Sequence, residues 1–348
     1  MNNTFTAIFE NSFITESGQE ILAPFLTYNT WGTLNEVKDN VIIICHALTG
    51  NSDAEDWFHG LFDEHGFIDL DQHFVICINH PGSCYGSVGP TSIHPETQKK
   101  YQADFPSITI RDIVKLEQQL LDKLGIHGIE LIVGGSMGGM VAIEFCIMDS
   151  RIKSACLIAM GKSHTAWAIG ISEAQRMAIQ ADKNWNNGFY AEDQPPNEGL
   201  AAARCIAMIS YRSPQNYDQK FGRNWNIQKN IFEVESYLKY QGEKITKRFD
   251  ANSYITLSKA MDSHDIARGR GTAKSVLSRI EIPILIIGID SDILYPTHEQ
   301  IELAELIPNS TFREIKSKYG HDAFLIEFDQ INNALQSFRN LKSSHLST

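Results

Sequence analysis

Five short apolar runs, rich in β-branched residues, recur along the chain: Val41–Cys45 (VIIIC), Phe74–Ile78 (FVICI), Glu130–Val133 (ELIV), Ala155–Ala159 (ACLIA) and Ile284–Ile289 (ILIIGI). None of them alternates polar with apolar residues, so each predicts a strand covered on both faces. Between the second and third runs, Thr109–Leu124 carries Ile110, Ile113, Leu116, Leu120, Leu121 and Leu124 on one helical stripe. Thr109 and Asp112 have the spacing of a capping box at its start, and Gly125 is placed to end it. Strands that alternate with helices predict an α/β fold, with a mostly parallel sheet covered by helices on both faces.

At 348 residues, 43% hydrophobic and 21% charged, the chain can bury a sizeable core as two domains or as one large domain with an insertion. The alternation lapses over residues 161–270. There, helical patterns (Ser172–Ala181, Leu200–Tyr211, Phe232–Gln241, Ser253–Met261) replace strands, and a polar loop, Asn184–Gly199, includes Pro195-Pro196. The expected organisation is a core built from residues 1–160 and 271–348, with 161–270 inserted as a helical lid over the carboxyl edge of the sheet. The tail, Lys342–Thr348, is expected to fray.

Thirty basic against 42 acidic residues give a net charge of −12. That argues against a nucleic-acid or anionic-membrane surface and leaves room for a local basic pocket. No apolar run approaches the ~18 residues of a membrane span, and the N-terminus lacks the basic start and apolar stretch of an export signal. Six cysteines (Cys45, Cys77, Cys84, Cys146, Cys156, Cys205) include no C-x-x-C, and four of them lie in apolar segments. This is the pattern of free thiols in a reducing cytoplasm rather than of a zinc site or a disulfide framework.

The sharpest local signal is Gly134-Gly135-Ser136-Met137-Gly138-Gly139, set between the strand Glu130–Val133 and a helix over Met140–Met148. In that context G-x-S-x-G predicts a nucleophile elbow, a turn so tight that side chains two residues either side of the serine would clash. A phosphate loop would need Lys-Ser/Thr after the glycines, and a dinucleotide fingerprint fits poorly. An elbow serine needs an acid and a histidine later in the chain. Of the histidines after the last strong strand, His298 lies too close to the strand end and His345 sits in the polar tail. His321, in the turn Tyr319-Gly320-His321-Asp322 after the strand-like run Ser310–Ile315, is left as the base. Asp290 and Asp292 both follow Ile284–Ile289, and spacing alone does not separate them; Asp292, deeper in the loop, is better placed to reach over. The loop Cys45-His46-Ala47-Leu48-Thr49-Gly50 is placed to give one oxyanion-hole amide, Leu48 N–H, with Met137 N–H as the other. His46 reads as a structural hydrogen-bonder. Arg204 is the only charge in Leu200–Tyr211 (LAAARCIAMISY) and either snorkels to water or is held by an anion.

These segments together resemble the homoserine O-acetyltransferases, acyltransferases of the α/β-hydrolase fold in methionine biosynthesis. The resemblance runs along nearly the whole chain: Glu16-Ser17-Gly18, YNTWGTL at 28–34, CHALTG at 45–50, GSCYGSVGP at 82–90 and Thr109-Ile110-Arg111-Asp112. It continues through GGSMGGM at 134–140, GLAAAR at 199–204, SYRS at 210–213, YQGEK at 240–244, RFDANSY at 248–254, SDILYP at 291–296 and YGHDAFL at 319–325. It implies Ser136 as nucleophile, Asp292 rather than Asp290 as triad acid and His321 as base. It also implies Arg204 and Asp322 as the pair that binds the carboxylate and ammonium of homoserine. The implied reaction is ping-pong transfer from acetyl-CoA, a co-substrate, with no metal and no bound cofactor, in a cytoplasmic homodimer joined through the lid helices. His80-Pro81 and Met160-Gly161 depart from the family pattern, and both are expected near the pocket wall. Alternatives on the same scaffold are a succinyl donor, a serine acceptor, or water as acceptor in an esterase or thioesterase; a binding protein without catalysis is a further reading.

Overall fold

In the computed structural model, which describes residues 3–345, eight strands form one sheet. They are β1 (Asn3–Ile8), β2 (Phe25–Trp31), β3 (Val41–Cys45), β4 (Phe74–Ile78), β5 (Ile129–Gly135), β6 (Ala155–Ile158), β7 (Ile284–Ile289) and β8 (Ser310–Ile315). Their spatial order is β1-β2-β4-β3-β5-β6-β7-β8. The first two strands run antiparallel to their neighbours, and every pairing from β4 to β8 is parallel. The register sets Ile44 beside Val133, Gly135 beside Ile158 and Ile289 beside Ile315, so the carboxyl ends of the core strands finish along one edge. In open α/β sheets that edge is where ligands bind.

Double-sided burial explains the apolar runs. Val41, Ile43 and Cys45 face one core layer, while Ile42 and Ile44 face the other. The first layer is completed by Ile113 and Leu120 of α1 (Ile110–Leu124) and by Met140 and Phe145 of α2 (Met137–Met148). α1 has the expected boundaries. Thr109 Oγ1 accepts from Asp112 N–H, the Asp112 carboxylate accepts from Thr109 N–H, and Gly125 closes the helix at φ +69°. α2 starts three residues earlier than expected, directly at the elbow.

The inserted block after β6 carries the helices α3 (Ala166–Gln180), α4 (Asn197–Tyr211), α5 (Pro214–Phe221), α6 (Glu233–Thr246) and α7 (Ala251–Asp262), and a short helix over Ala273–Leu277 follows it before β7. The chain enters and leaves this block through a short antiparallel neck. Ser163 bridges Asp265, His164 N–H donates to His264 O (2.8 Å), and Ile266 N–H donates to Lys162 O (3.1 Å). Small residues let the helices approach: a Cβ on Gly242 of α6 would lie 3.0 Å from the Ala201 methyl of α4. Three expectations are corrected here. α3 begins at Ala166 rather than Ser172. The polar loop ends at Pro196, because Asn197–Gly199 already belong to α4. α6 spans Glu233–Thr246, longer than Phe232–Gln241.

After β7 come α8 (Thr297–Leu306), β8, a 3₁₀ turn over Gly320–Leu325 and α9 (Phe328–His345). α9 supplies Ile331, Leu335 and Phe338 to the second core layer. The tail expected to fray is helical as far as His345, and Leu346–Thr348 lie outside the described residues. Among the described residues all six cysteines are free, and no helix is long and apolar enough to cross a membrane.

Candidate active site

β5 ends in a turn that only this glycine pattern allows. A Cβ on Gly134 would lie 2.3 Å from Gly138 O, and one on Gly138 would lie 2.0 Å from Cys45 O. Squeezed between them, Ser136 adopts φ +57°, ψ −125°. A non-glycine residue in such a conformation costs about 1–3 kcal/mol and persists only where its surroundings impose it. Here Ser136 N–H donates to Ile158 O (2.9 Å), and Ser136 O accepts from Gly139 N–H (2.9 Å) and Met140 N–H (3.1 Å). The side chain stands at the start of α2, and the residue is 6% exposed. Met137 is the first residue of α2, where a backbone N–H has no partner within the helix.

Asp292 and His321 come from the loops after β7 and β8. The Asp292 side chain is fully buried. Its Oδ1 accepts from Leu294 N–H (2.8 Å) and Tyr295 N–H (3.0 Å), and its Oδ2 lies 2.7 Å from His321 Nδ1. That contact assigns the Nδ1 proton to the bond with Asp292 and leaves Nε2 free to accept. Tyr211, Tyr295 and Phe324 surround the His321 ring at 5.3–5.6 Å. Burial works against the imidazolium, yet the Asp292 carboxylate outweighs it and raises the His321 pKa. Asp290, by contrast, is exposed; it accepts from Ser317 N–H and lies 3.6 Å from Lys316 Nζ.

Ser136, His321, Asp322, Arg204 and Leu48 all border one cavity of about 410 Å³. Met137, Asp292 and His46 do not line it; they lie one layer back, in the buried interior. Arg204 is half-buried, with its guanidinium 5.6 Å above the Tyr211 ring. The Asp322 carboxylate meets Arg212 Nε at 2.9 Å. Burial raises the Asp322 pKa, and Arg212 and Arg204 pull in the opposite direction.

Sequence reasoning missed Arg212 as a partner of Asp322. It also missed Lys244 and Arg248, which add positive charge to the cavity wall. All three sit in the blocks SYRS, YQGEK and RFDANSY, and their place in those blocks of the resemblance was the only available signal. Neither His80-Pro81 nor Met160-Gly161 lines the cavity. His80 lies behind the Leu48 loop, and Met160 packs against Gly139 beneath the elbow.

The family model for the alpha/beta hydrolase fold matches residues 40–328. A homoserine O-acetyltransferase of Chlorobium chlorochromatii is 52% identical over 332 residues, covering 94% of this chain and 93% of that protein. The chain belongs to the homoserine O-acetyltransferase family. Among solved structures, the homoserine O-acetyltransferase of Bacillus anthracis superposes with a TM-score of 0.90 at 25% identity, covering 97% of each chain. A mutant esterase also superposes with a TM-score of 0.90, at 27% identity, covering 97% of this chain and 99% of that one. Homoserine O-acetyltransferases and esterases thus share this scaffold.

Proposed function

We propose that the chain transfers an acetyl group from acetyl-CoA to the hydroxyl of L-homoserine, in methionine biosynthesis, through an acetyl-Ser136 intermediate. The observation that carries this reading is the pairing of an elbow serine and a buried Asp292–His321 couple with opposite charges, Arg204 and Asp322, on one cavity. His321 Nε2 takes the proton of Ser136 Oγ as the oxygen attacks the thioester carbonyl. The amides of Leu48 and Met137 hold the oxyanion. The tetrahedral intermediate collapses, CoA leaves with the proton from His321, and Ser136 is left acetylated. Homoserine then enters: its hydroxyl gives its proton to His321 Nε2 and attacks the acetyl carbon, and Ser136 leaves with the proton returned by His321, releasing O-acetylhomoserine.

Recognition of the zwitterion is assigned to Arg204 for the carboxylate and Asp322 for the ammonium. Arg212 occupies Asp322 Oδ2, which leaves Oδ1 for the substrate. Lys244 and Arg248 supply a local positive field for the phosphates of CoA on a chain of net charge −12. No metal or bound cofactor enters the scheme. The helices between β6 and β7 act as the lid that keeps water from the acyl-enzyme. Exposed apolar residues on this block, Ile209, Trp225, Ile227 and Tyr240, suit a homodimer joined through it. Six free thiols suit a cytoplasmic enzyme.

The similarity to an esterase supplies the second reading, in which water is the acceptor. A matrix of acetyl- and succinyl-CoA against homoserine, serine and water, with mass spectrometry of the Ser136 peptide, separates the two. Acetyl transfer predicts one acetyl group on Ser136 with acetyl-CoA alone, and rapid CoA release only when homoserine is added. Equal CoA release with and without homoserine would make the protein an esterase or thioesterase.

A further inference from the structure

Behind the cavity, three ionisable side chains lie stacked in the interior with no access to solvent. Glu117, on the buried side of α1, places Oε1 2.6 Å from His80 Nδ1. His80 follows β4, and its ring lies 3.9 Å from that of His46, which follows β3. His80 touches His46 twice: its ring Nε2 is 3.0 Å from His46 O, and its own backbone N–H donates to His46 Nε2 at 3.0 Å. His46 Nδ1 in turn lies 2.8 Å from Ala47 O. His46, His80 and Glu117 are each at most 1% exposed.

The contacts fix the protons on His46 Nδ1 and His80 Nε2, and burial decides the one shared between His80 and Glu117. His46 Nε2 accepts from an amide, so its Nδ1 carries the proton and donates to Ala47 O. His80 Nε2 faces a carbonyl and must donate to it, so with the ring neutral Nδ1 accepts from a protonated Glu117 carboxyl. Burial favours this neutral arrangement, pushing Glu117 up and His80 down to about 4. Charging both members of the pair would desolvate two ions in the interior.

The terminal acceptor matters most. Ala47 O belongs to the same planar peptide as Leu48 N–H, and in a trans peptide the N–H points opposite to the C=O. Ala47 O is gripped by His46 Nδ1 and also accepts from Gly50 N–H at 2.8 Å. The direction of the Leu48 N–H is therefore set by two donors on the far side of its own peptide.

We propose that Glu117, His80 and His46 are positioning residues for the oxyanion hole, clamping the Ala47 carbonyl so that the Leu48 N–H is held on the reacting oxygen. The proposal rests on the reading of Leu48 as an oxyanion donor to an acyl-Ser136. It gives a task to His80, a buried residue that does not line the cavity.

Three measurements test it. In wild-type protein, ¹⁵N imidazole NMR should find His46 protonated at Nδ1 and His80 at Nε2. His46 protonated at Nε2 would leave Ala47 O without its donor and would overturn the proposal, whatever any variant does. Glu117→Leu removes the donor to His80 Nδ1. It should slow single-turnover acetylation of Ser136 about 10- to 100-fold, somewhat less than outright loss of an oxyanion donor. It should also weaken a trifluoromethyl ketone analogue of the thioester by the same factor, with KM for homoserine unchanged. Glu117→Gln, whose amide can donate to Nδ1, should bring both values back to within about threefold of wild type. Acetylation of folded Glu117→Leu at the wild-type rate, or an equal loss in ketone affinity and in KM, would make the network merely structural. Absence of any acetyl-Ser136 in the wild type would instead sink the acyl-enzyme reading itself.

Discussion

Burial strips water from the His321 imidazole and disfavours its cation, while the Asp292 carboxylate 2.7 Å away favours it and prevails. A base must be neutral to accept the serine proton, so acylation should fall as pH drops through a pKa above the ordinary value of about 6.5. Asp292→Asn removes the charge that raises it. The pH–rate profile should then shift its acidic limb downward, and the plateau should drop by about 10⁴-fold, because an amide favours the wrong tautomer. Asp290→Asn should leave the rate within about twofold, as expected of an exposed position away from the reacting groups; a larger loss there than at 292 would reverse the assignment. Arg204→Ala should cost the homoserine specificity constant about 10- to 150-fold, the worth of one charge-assisted hydrogen bond. Single-turnover acetylation of Ser136 should remain unchanged, and equal slowing of both steps would make Arg204 structural. Ser136 and His321 were singled out by local pattern, a glycine-flanked elbow and a turn before the last helix; Asp292 was not separable from Asp290 by spacing, and it is the fold that sets Asp292 against His321. Arg212 was not legible, since its pairing with Asp322 joins the end of α4 to the turn after β8, a contact no local spacing encodes.

Among the elements, the turn from β5 to α2 is the least tolerant of change. Gly138→Ala would press a methyl carbon to 2.0 Å from Cys45 O, backbone that cannot step aside without moving β3 and the Leu48 loop. The expected cost is about 3 kcal/mol or more, read as a fall in the urea midpoint, together with loss of Ser136 acetylation. A variant of wild-type stability would mean that the elbow relaxes more freely than its contacts allow. Five of the six parallel strands were legible because two-sided burial writes them as uninterrupted apolar runs; the sixth, β8, is an edge strand with polar Thr311, Arg313 and Glu314. The antiparallel pair β1 and β2 was missed for the converse reason. β1 is mostly exposed, and β2 carries Thr27, Asn29 and Thr30 among its apolar residues. Those polar groups are accommodated by bonds that only the fold supplies, such as Ser52 Oγ donating to Asn29 Oδ1 (2.7 Å). The early start of α4 was hidden by Asn197-Glu198-Gly199, polar residues that read as loop. Gly199 N–H is satisfied by the Asp182 carboxylate, seventeen residues upstream.

Over the whole molecule, the helical block carries the most exposed large apolar residue described, Ile227 at 87% exposure, on the hairpin between α5 and α6. If the dimer forms through this block, Ile227→Asp should place a charge in the contact and weaken association at least about tenfold, about 1.4 kcal/mol. Sedimentation velocity across a concentration series reads this directly, and an unchanged dimer would exclude the hairpin from the interface. The strand order has a consequence for how the chain is made. β6 is hydrogen-bonded to β5 on one side and to β7 on the other, yet the entire helical block is translated between them. At roughly 10 residues per second, a growing polypeptide spends on the order of ten seconds with β6 synthesised and its second neighbour still unmade. Throughout that interval Ala155–Ile158 offers a bare, apolar edge to any other nascent chain nearby. Slower growth at low temperature lengthens the exposure, and a ribosome stalled inside the helical block leaves the edge open for as long as it waits.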